Sequence, residues 1–116
     1  MKEFEDYRQL LDSEGVSLAS LGVADVALEL ADALLAVELL RKASLPVKGG
    51  DVYFQVDREI KLANANWYTQ RIPGEDYTSY LHRSWKTATD YIRAFPEHSG
   101  KKAIFSLVVG EAEKRS

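Results

Sequence analysis

His82 and His98 are the chain's only two histidines, and there is no cysteine. Missing thiols exclude a disulfide scaffold, a thiol nucleophile and every metal site built on thiolates. The two imidazoles are the only side chains whose ordinary titration falls near neutral pH. One lies on a helix flank and the other in the loop after Pro96, with no H-x-x-x-H spacing between them. A zinc centre needs three or four ligands converging tetrahedrally, so both histidines read as ordinary exposed residues. Ser84 is two positions from His82, and helical side chains two apart point away from each other. No G-x-S-x-G elbow exists either. The expectation is no catalytic constellation, no metal and no cofactor.

Carboxylates are more promising. Asp25, Glu29 and Asp32 fall at i, i+4 and i+7, one face of a helix if the segment is helical. Like charges at such spacings cost about 0.2–0.5 kcal/mol per pair on an isolated helix. A helix N-terminus offsets part of that for Asp25 and Glu29 but not for Asp32. Three uses fit the stripe: docking lysine or arginine from another protein, binding a metal, or simply keeping the one solvent-facing strip of an apolar helix soluble. Residues 1–40 hold nine acids and two bases, whereas residues 41–116 hold nine acids and thirteen bases. A one-signed surface of this kind steers opposite charge toward it. With a net charge of −3 the chain is a poor candidate for general nucleic-acid binding, which depends on neutralising phosphates, and no nucleic-acid partner is expected.

Gly49-Gly50-Asp51 is too poor in glycine, and too clearly followed by a strand, to cradle a phosphate. It reads as a structural motif, a tight bend or a close backbone approach, with Asp51 bonding nearby backbone. Trp67, Tyr68, Tyr77, Tyr80, Trp85 and Tyr91 resemble a base-stacking platform in composition. The last four, however, share the apolar stripe of one helix, where core packing explains them. Trp67 and Tyr68 must point to opposite sides of an extended chain. One of the pair is therefore free to anchor a partner, and Trp67 is the expected anchor.

The elements that place these residues follow from periodicity. The 116 residues, 46% hydrophobic and 28% charged, suit a single α+β domain spanning 1–116. Phe4, Tyr7, Leu10 and Leu11 predict a short N-terminal helix over 3–13, closed by a left-handed Gly15. Residues 16–22 read as a turn or a short helical piece. Val23 to Ser44, free of proline and glycine and rich in alanine and leucine, predicts a long helix with Glu38 paired to Lys42. Pro46 marks its end. Alternation then predicts strands at 51–57 and 60–62, with a third at 67–69. Pro73-Gly74 precedes a second long helix, Glu75 to Phe95. Ala103 to Val109, apolar on nearly both faces, predicts a central strand, and 110–116 a frayed charged tail. The sum is a small antiparallel or mixed sheet of three to four strands against two long helices plus the short one. The start, MKEFEDY, carries acids where a signal peptide needs bases, and no apolar run reaches membrane-span length. A cytoplasmic protein is expected.

The order of features resembles the immunity protein 40 family. An acidic, apolar helix runs into Leu45-Pro46-Val47-Lys48-Gly49-Gly50-Asp51-Val52-Tyr53-Phe54. Asn66-Trp67-Tyr68 follow, then a helix bearing Arg83-Ser84-Trp85 and Asp90-Tyr91-Ile92, then a last strand. The resemblance covers about residues 15–110, and Gly49 to Tyr53 with Asn66 to Tyr68 are its most specific parts. It implies a small cytosolic α+β protein of bacterial polymorphic toxin systems that neutralises a cognate toxin domain by binding it. The family brings no catalytic motif to carry over. Were the toxin a basic nuclease, acidic side chains would stand in for phosphates and speed association. Asp25, Glu29 and Asp32, with Glu3, Glu5 and Asp6, are the expected contact surface. Two other classes stay open: a regulatory or adaptor module, and a small-ligand domain or enzyme with a pocket between helix and sheet.

Overall fold

The computed structural model describes residues 2–112, with the Glu3 side chain outside the description. In chain order the elements are α1 (Lys2–Glu14), β1 (Val16–Ser17), a 3-10 turn (Ala19–Leu21), β2 (Val26–Glu29), α2 (Leu30–Lys42), β3 (Val47–Val56), β4 (Glu59–Tyr68), α3 (Tyr77–Ala94) and β5 (Lys102–Val109). The architecture is α+β, with five strands in the order β1-β2-β5-β3-β4 and each neighbouring pair antiparallel. No helix among the described residues is long and apolar enough to cross a membrane. The expected tail at 113–116 lies outside the described residues.

The largest departure from expectation is the segment that opens the long helix. Val26 to Glu29 is a strand, and α2 begins only at Leu30. Ala27 and Leu28 have good helix propensity, but β5 offers them a ladder: Leu28 pairs with Phe105 and Glu29 with Ile104. Long-range pairing overrides a local preference worth only tenths of a kcal/mol per residue. Residues 16–22, ambiguous in sequence, supply the short β1 that pairs with Val26 and Ala27. These two additions raise the sheet above the expected three to four strands.

Residues 59–68 form one strand rather than two. Its pairing with β3 slips between Val52↔Ala65 and Tyr53↔Leu62, leaving Ala63 and Asn64 as a bulge with Asn64 at φ 54°. Asn tolerates that left-handed backbone better than most residues. β5 lies between β2 and β3, as its two-sided apolar sequence required.

One side of the sheet is roofed by helices. α2 lies over β2 and β5, α3 packs on β3 and α2, and α1 packs on α2. Tyr7, Leu28, Leu40, Val52, Trp67, Trp85, Ile92 and Phe105 fill the space between the layers. Trp85 Nε1 donates to Leu45 O at 2.7 Å, and the Val47 N–H donates to the buried Ser84 Oγ at 3.2 Å, tying α3 to the α2–β3 connection. On the opposite side a second, smaller cluster joins Leu18, Ala27, Tyr53 and Ile104, with Leu21, Val23 and Ile60 against it. The 16–25 segment thus folds over only part of that side.

Helix ends follow local rules. Asp76 caps α3, accepting from the Ser79 N–H at 2.8 Å. α2 closes with Ser44 at φ 57° and the Leu45 N–H reaching Leu40 O at 3.0 Å, the geometry usually given to glycine. Glu38 bonds Arg41, one position earlier than the expected Lys42, through Arg41 Nε at 2.9 Å. Gly15 does close α1, yet its φ is not left-handed. A Cβ there would stand 2.3 Å from Leu11 O and 2.8 Å from Val26, so close packing requires the glycine.

Candidate functional site

The side of the sheet away from the helices carries three cross-strand rungs, since antiparallel partners share a face; the 16–25 segment covers Tyr53 and Ile104 there and leaves much of the remainder as a bare face. The first rung is Tyr68–Gly49–Val108 and the second Asn66–Asp51–Ser106. The third, Leu62–Tyr53–Ile104, runs on to Glu29 of β2. The middle rung is polar throughout. It continues into Asp25, whose Oδ2 accepts from Ser106 Oγ at 3.0 Å while Oδ1 accepts from the Val26 N–H at 2.7 Å. Around it stand three exposed apolar or aromatic side chains: Tyr68 (64% exposed), Leu62 (61%) and Val108 (44%).

The two carboxylates of this rung, like Glu5, Asp6 and Asp32, stand without a salt bridge among the described residues. Among the described residues, Glu29, Glu38, Glu59, Glu75 and Asp90 each have a basic partner within 4 Å; Asp25 and Asp51 have none. The Tyr53 ring is buried, and no described residue hydrogen-bonds its hydroxyl. Burial first, then the negative charges of Asp51 and Asp25, push that hydroxyl above its ordinary pKa. Tyr53, Asp51, Leu62, Asn64 and Asn66 together line a shallow groove on this face.

The expected acidic stripe is therefore redistributed. Because Val26 to Glu29 is extended, Asp25 and Glu29 both project to the bare face, and Lys102 Nζ pairs with Glu29 Oε1 at 2.8 Å. Asp32 sits apart, in the first turn of α2. Glu5 and Asp6 belong to α1.

Trp67, the expected partner anchor, is corrected to a core residue. It is 7% exposed and stacks on Tyr91 with ring centroids 4.7 Å apart. Its ring occupies the place of a Gly50 side chain: a Cβ there would lie 2.3 Å from Trp67 Cη2. The glycine pair is thus a close approach inside β3, not a bend before it, and Tyr68 is the exposed neighbour. Asp51 had been expected only to fix that bend. The signal that could have found it was its place one residue from a glycine that admits an aromatic ring on the other face.

Elsewhere, a groove between α2 and α3 is lined by Glu38 with Arg41 and Lys86 with Asp90, already paired to each other. His82 lies there too, edge-on to Trp85 at 5.3 Å, and His98 packs edge-on against Phe54 at 5.1 Å. Among the described residues no group of three or more His, Asp or Glu is placed to hold a metal ion.

A family model described as immunity protein 40 matches residues 17–109, and the chain belongs to that family. No curated protein and no solved structure matches the chain.

Proposed function

We propose that this immunity protein neutralises a cognate toxin by occlusion, laying the bare face of β5, β3 and β4 against it and transforming no compound. The observation that carries the reading is the coincidence on one surface of two carboxylates without cationic partners among the described residues, Asp25 and Asp51, with exposed Tyr68, Leu62 and Val108. Aromatic and aliphatic side chains of this kind supply interface hot spots, and charge of one sign supplies steering. The partner is a basic protein domain met in the cytoplasm. Glu29, Asp32, Glu5 and Asp6 add longer-range attraction around the contact without having to touch it. A small-ligand or enzymatic role between helix and sheet is disfavoured by the packed interior there, where Leu40, Trp67, Trp85 and Phe105 are all buried.

The test is co-expression with the toxin domain encoded beside the gene. Growth rescue and co-purification are the expected result, and failure of both overturns the reading. Replacing Leu62 and Tyr68 together by glutamate, with folding checked by circular dichroism, should abolish rescue. Undiminished rescue by that folded double variant would move the contact to another surface.

A further inference from the structure

Within the bare face, the middle rung has a more specific construction than an acidic patch. Asp51 stands in the interior of a strand between Asn66 and Ser106, with the Ser106 hydroxyl already donated to Asp25. That donation commits Ser106's only proton, so its lone pairs, like both carboxylates, can only accept. Tyr53 is buried but for the end that reaches solvent, and no described residue hydrogen-bonds its hydroxyl; it lines the same groove as Asp51 and Asn66. The exposed acceptors on this rung are the Asp51 and Asp25 carboxylates and the Asn66 amide oxygen, with Ser106 buried between them and apolar surface on either side. The complement to such a rung is a flat group with several N–H donors, a positive charge and an apolar stem. Arginine's guanidinium meets that description, because its rigid fork bridges two acceptors at once, and its stem packs on neighbouring carbon.

We infer that the Asn66–Asp51–Ser106–Asp25 rung is the seat of a single arginine side chain of the bound protein, its head between the two carboxylates and its stem beside Leu62 or Tyr68. This rests on the reading of the bare face as the toxin contact, and it adds a partner residue type and a place for it. Charge on this rung acts by contact, whereas charge on α1 acts at a distance. The two differ in their response to salt, since exposed charges farther apart than about 8–10 Å are largely screened at physiological ionic strength.

The experiment measures affinity for the same toxin domain with D25N, D51N and Y53F, and with D12N on α1 as the equal-charge control. Asparagine at 25 keeps an acceptor oxygen for the Val26 N–H and presents its amide N–H to Ser106 Oγ, which then accepts instead of donating; thermal unfolding verifies that each variant keeps the fold. D51N and D25N should each weaken binding roughly ten-fold or more, as close interfacial charge pairs do, and the loss should persist at high salt. D12N should change affinity less than about two-fold and only at low salt. A double-mutant cycle should assign a coupling of roughly ten-fold between Asp51 and one toxin arginine. A tight complex in which D25N and D51N behave like D12N overturns this inference and leaves the function standing. A coupling found only to a lysine also overturns it. The absence of any complex with the wild-type chain overturns the function and takes the inference with it.

Discussion

Under the helices, Gly50 carries no side chain because the Trp67 ring fills that space, and Trp67 in turn stacks on Tyr91. One residue along on each strand, Asp51 and Tyr68 face the other way, into solvent. The two faces of the same three strands are therefore governed by different demands. On the covered side the buried side chains pack against one another, and shape decides what is tolerated. On the bare side the side chains share a rung but do not interlock, so chemistry rather than volume decides what matters. Adjacent residues in sequence, Gly50 with Asp51 and Trp67 with Tyr68, are consequently expected to fail in different ways when changed.

The widest separation should come from Trp67→Ala against Tyr68→Ala. Emptying the Trp67 site should cost about 3–5 kcal/mol in urea unfolding, while Tyr68→Ala should stay within about 0.5 kcal/mol. Equal effects from the two would erase the distinction between the faces. Gly50→Ala should come next, at about 1–3 kcal/mol, because the added methyl meets Trp67 and the Ser106 carbonyl at 2.3 and 2.6 Å. A neutral Gly50→Ala would mean that the Trp67 ring has room to move.

The smallest effect concerns the rim of the helical layer. Arg83 grips Glu75 through Nη2–Oε1 at 2.8 Å and holds its carboxyl near 2, against an ordinary 4.5; the Ile72 N–H adds to this. A carboxyl lowered on folding stabilises fully above its unfolded pKa and progressively less as acid titrates it. The difference in melting temperature between the wild-type chain and Glu75→Gln should therefore be full at neutral pH, shrink below about 4.5, and vanish near 2. A gap independent of pH would show that the pair does not hold in solution.

Much of this organisation is legible in the residues, and the exceptions have physical causes. α3 is bracketed by Pro73-Gly74 and Pro96 and carries an unbroken apolar stripe, so its place and buried face follow directly. β5 is apolar on both sides because both sides are covered over part of its length. β2 is hidden, since Ala27 and Leu28 carry no strand preference and become a strand only when Val16 and Phe105 are there to pair. β4 is hidden in another way. Its apolar residues change sides, with Ile60 under the 16–25 segment and Ala65 and Trp67 under the helices, so no single alternation runs its length. The bare face inherits both difficulties. Asp25 reaches it only because β2 is extended, and Asp51 joins Asn66 and Ser106 only through pairings 15 and 55 residues away along the chain.

The position of β5 has a further consequence for how the protein comes into being. It is the last described element, yet it is inserted between β2 and β3, so it alone joins the two halves of the sheet. Until Lys102 to Val109 are made, the earlier strands expose two open margins, and the middle rung lacks Ser106. Assembly of the sheet is thereby deferred until β5 is made, as non-local pairing generally slows assembly. A nascent chain stalled before Lys102 would hold two separate β fragments with nothing to bridge them.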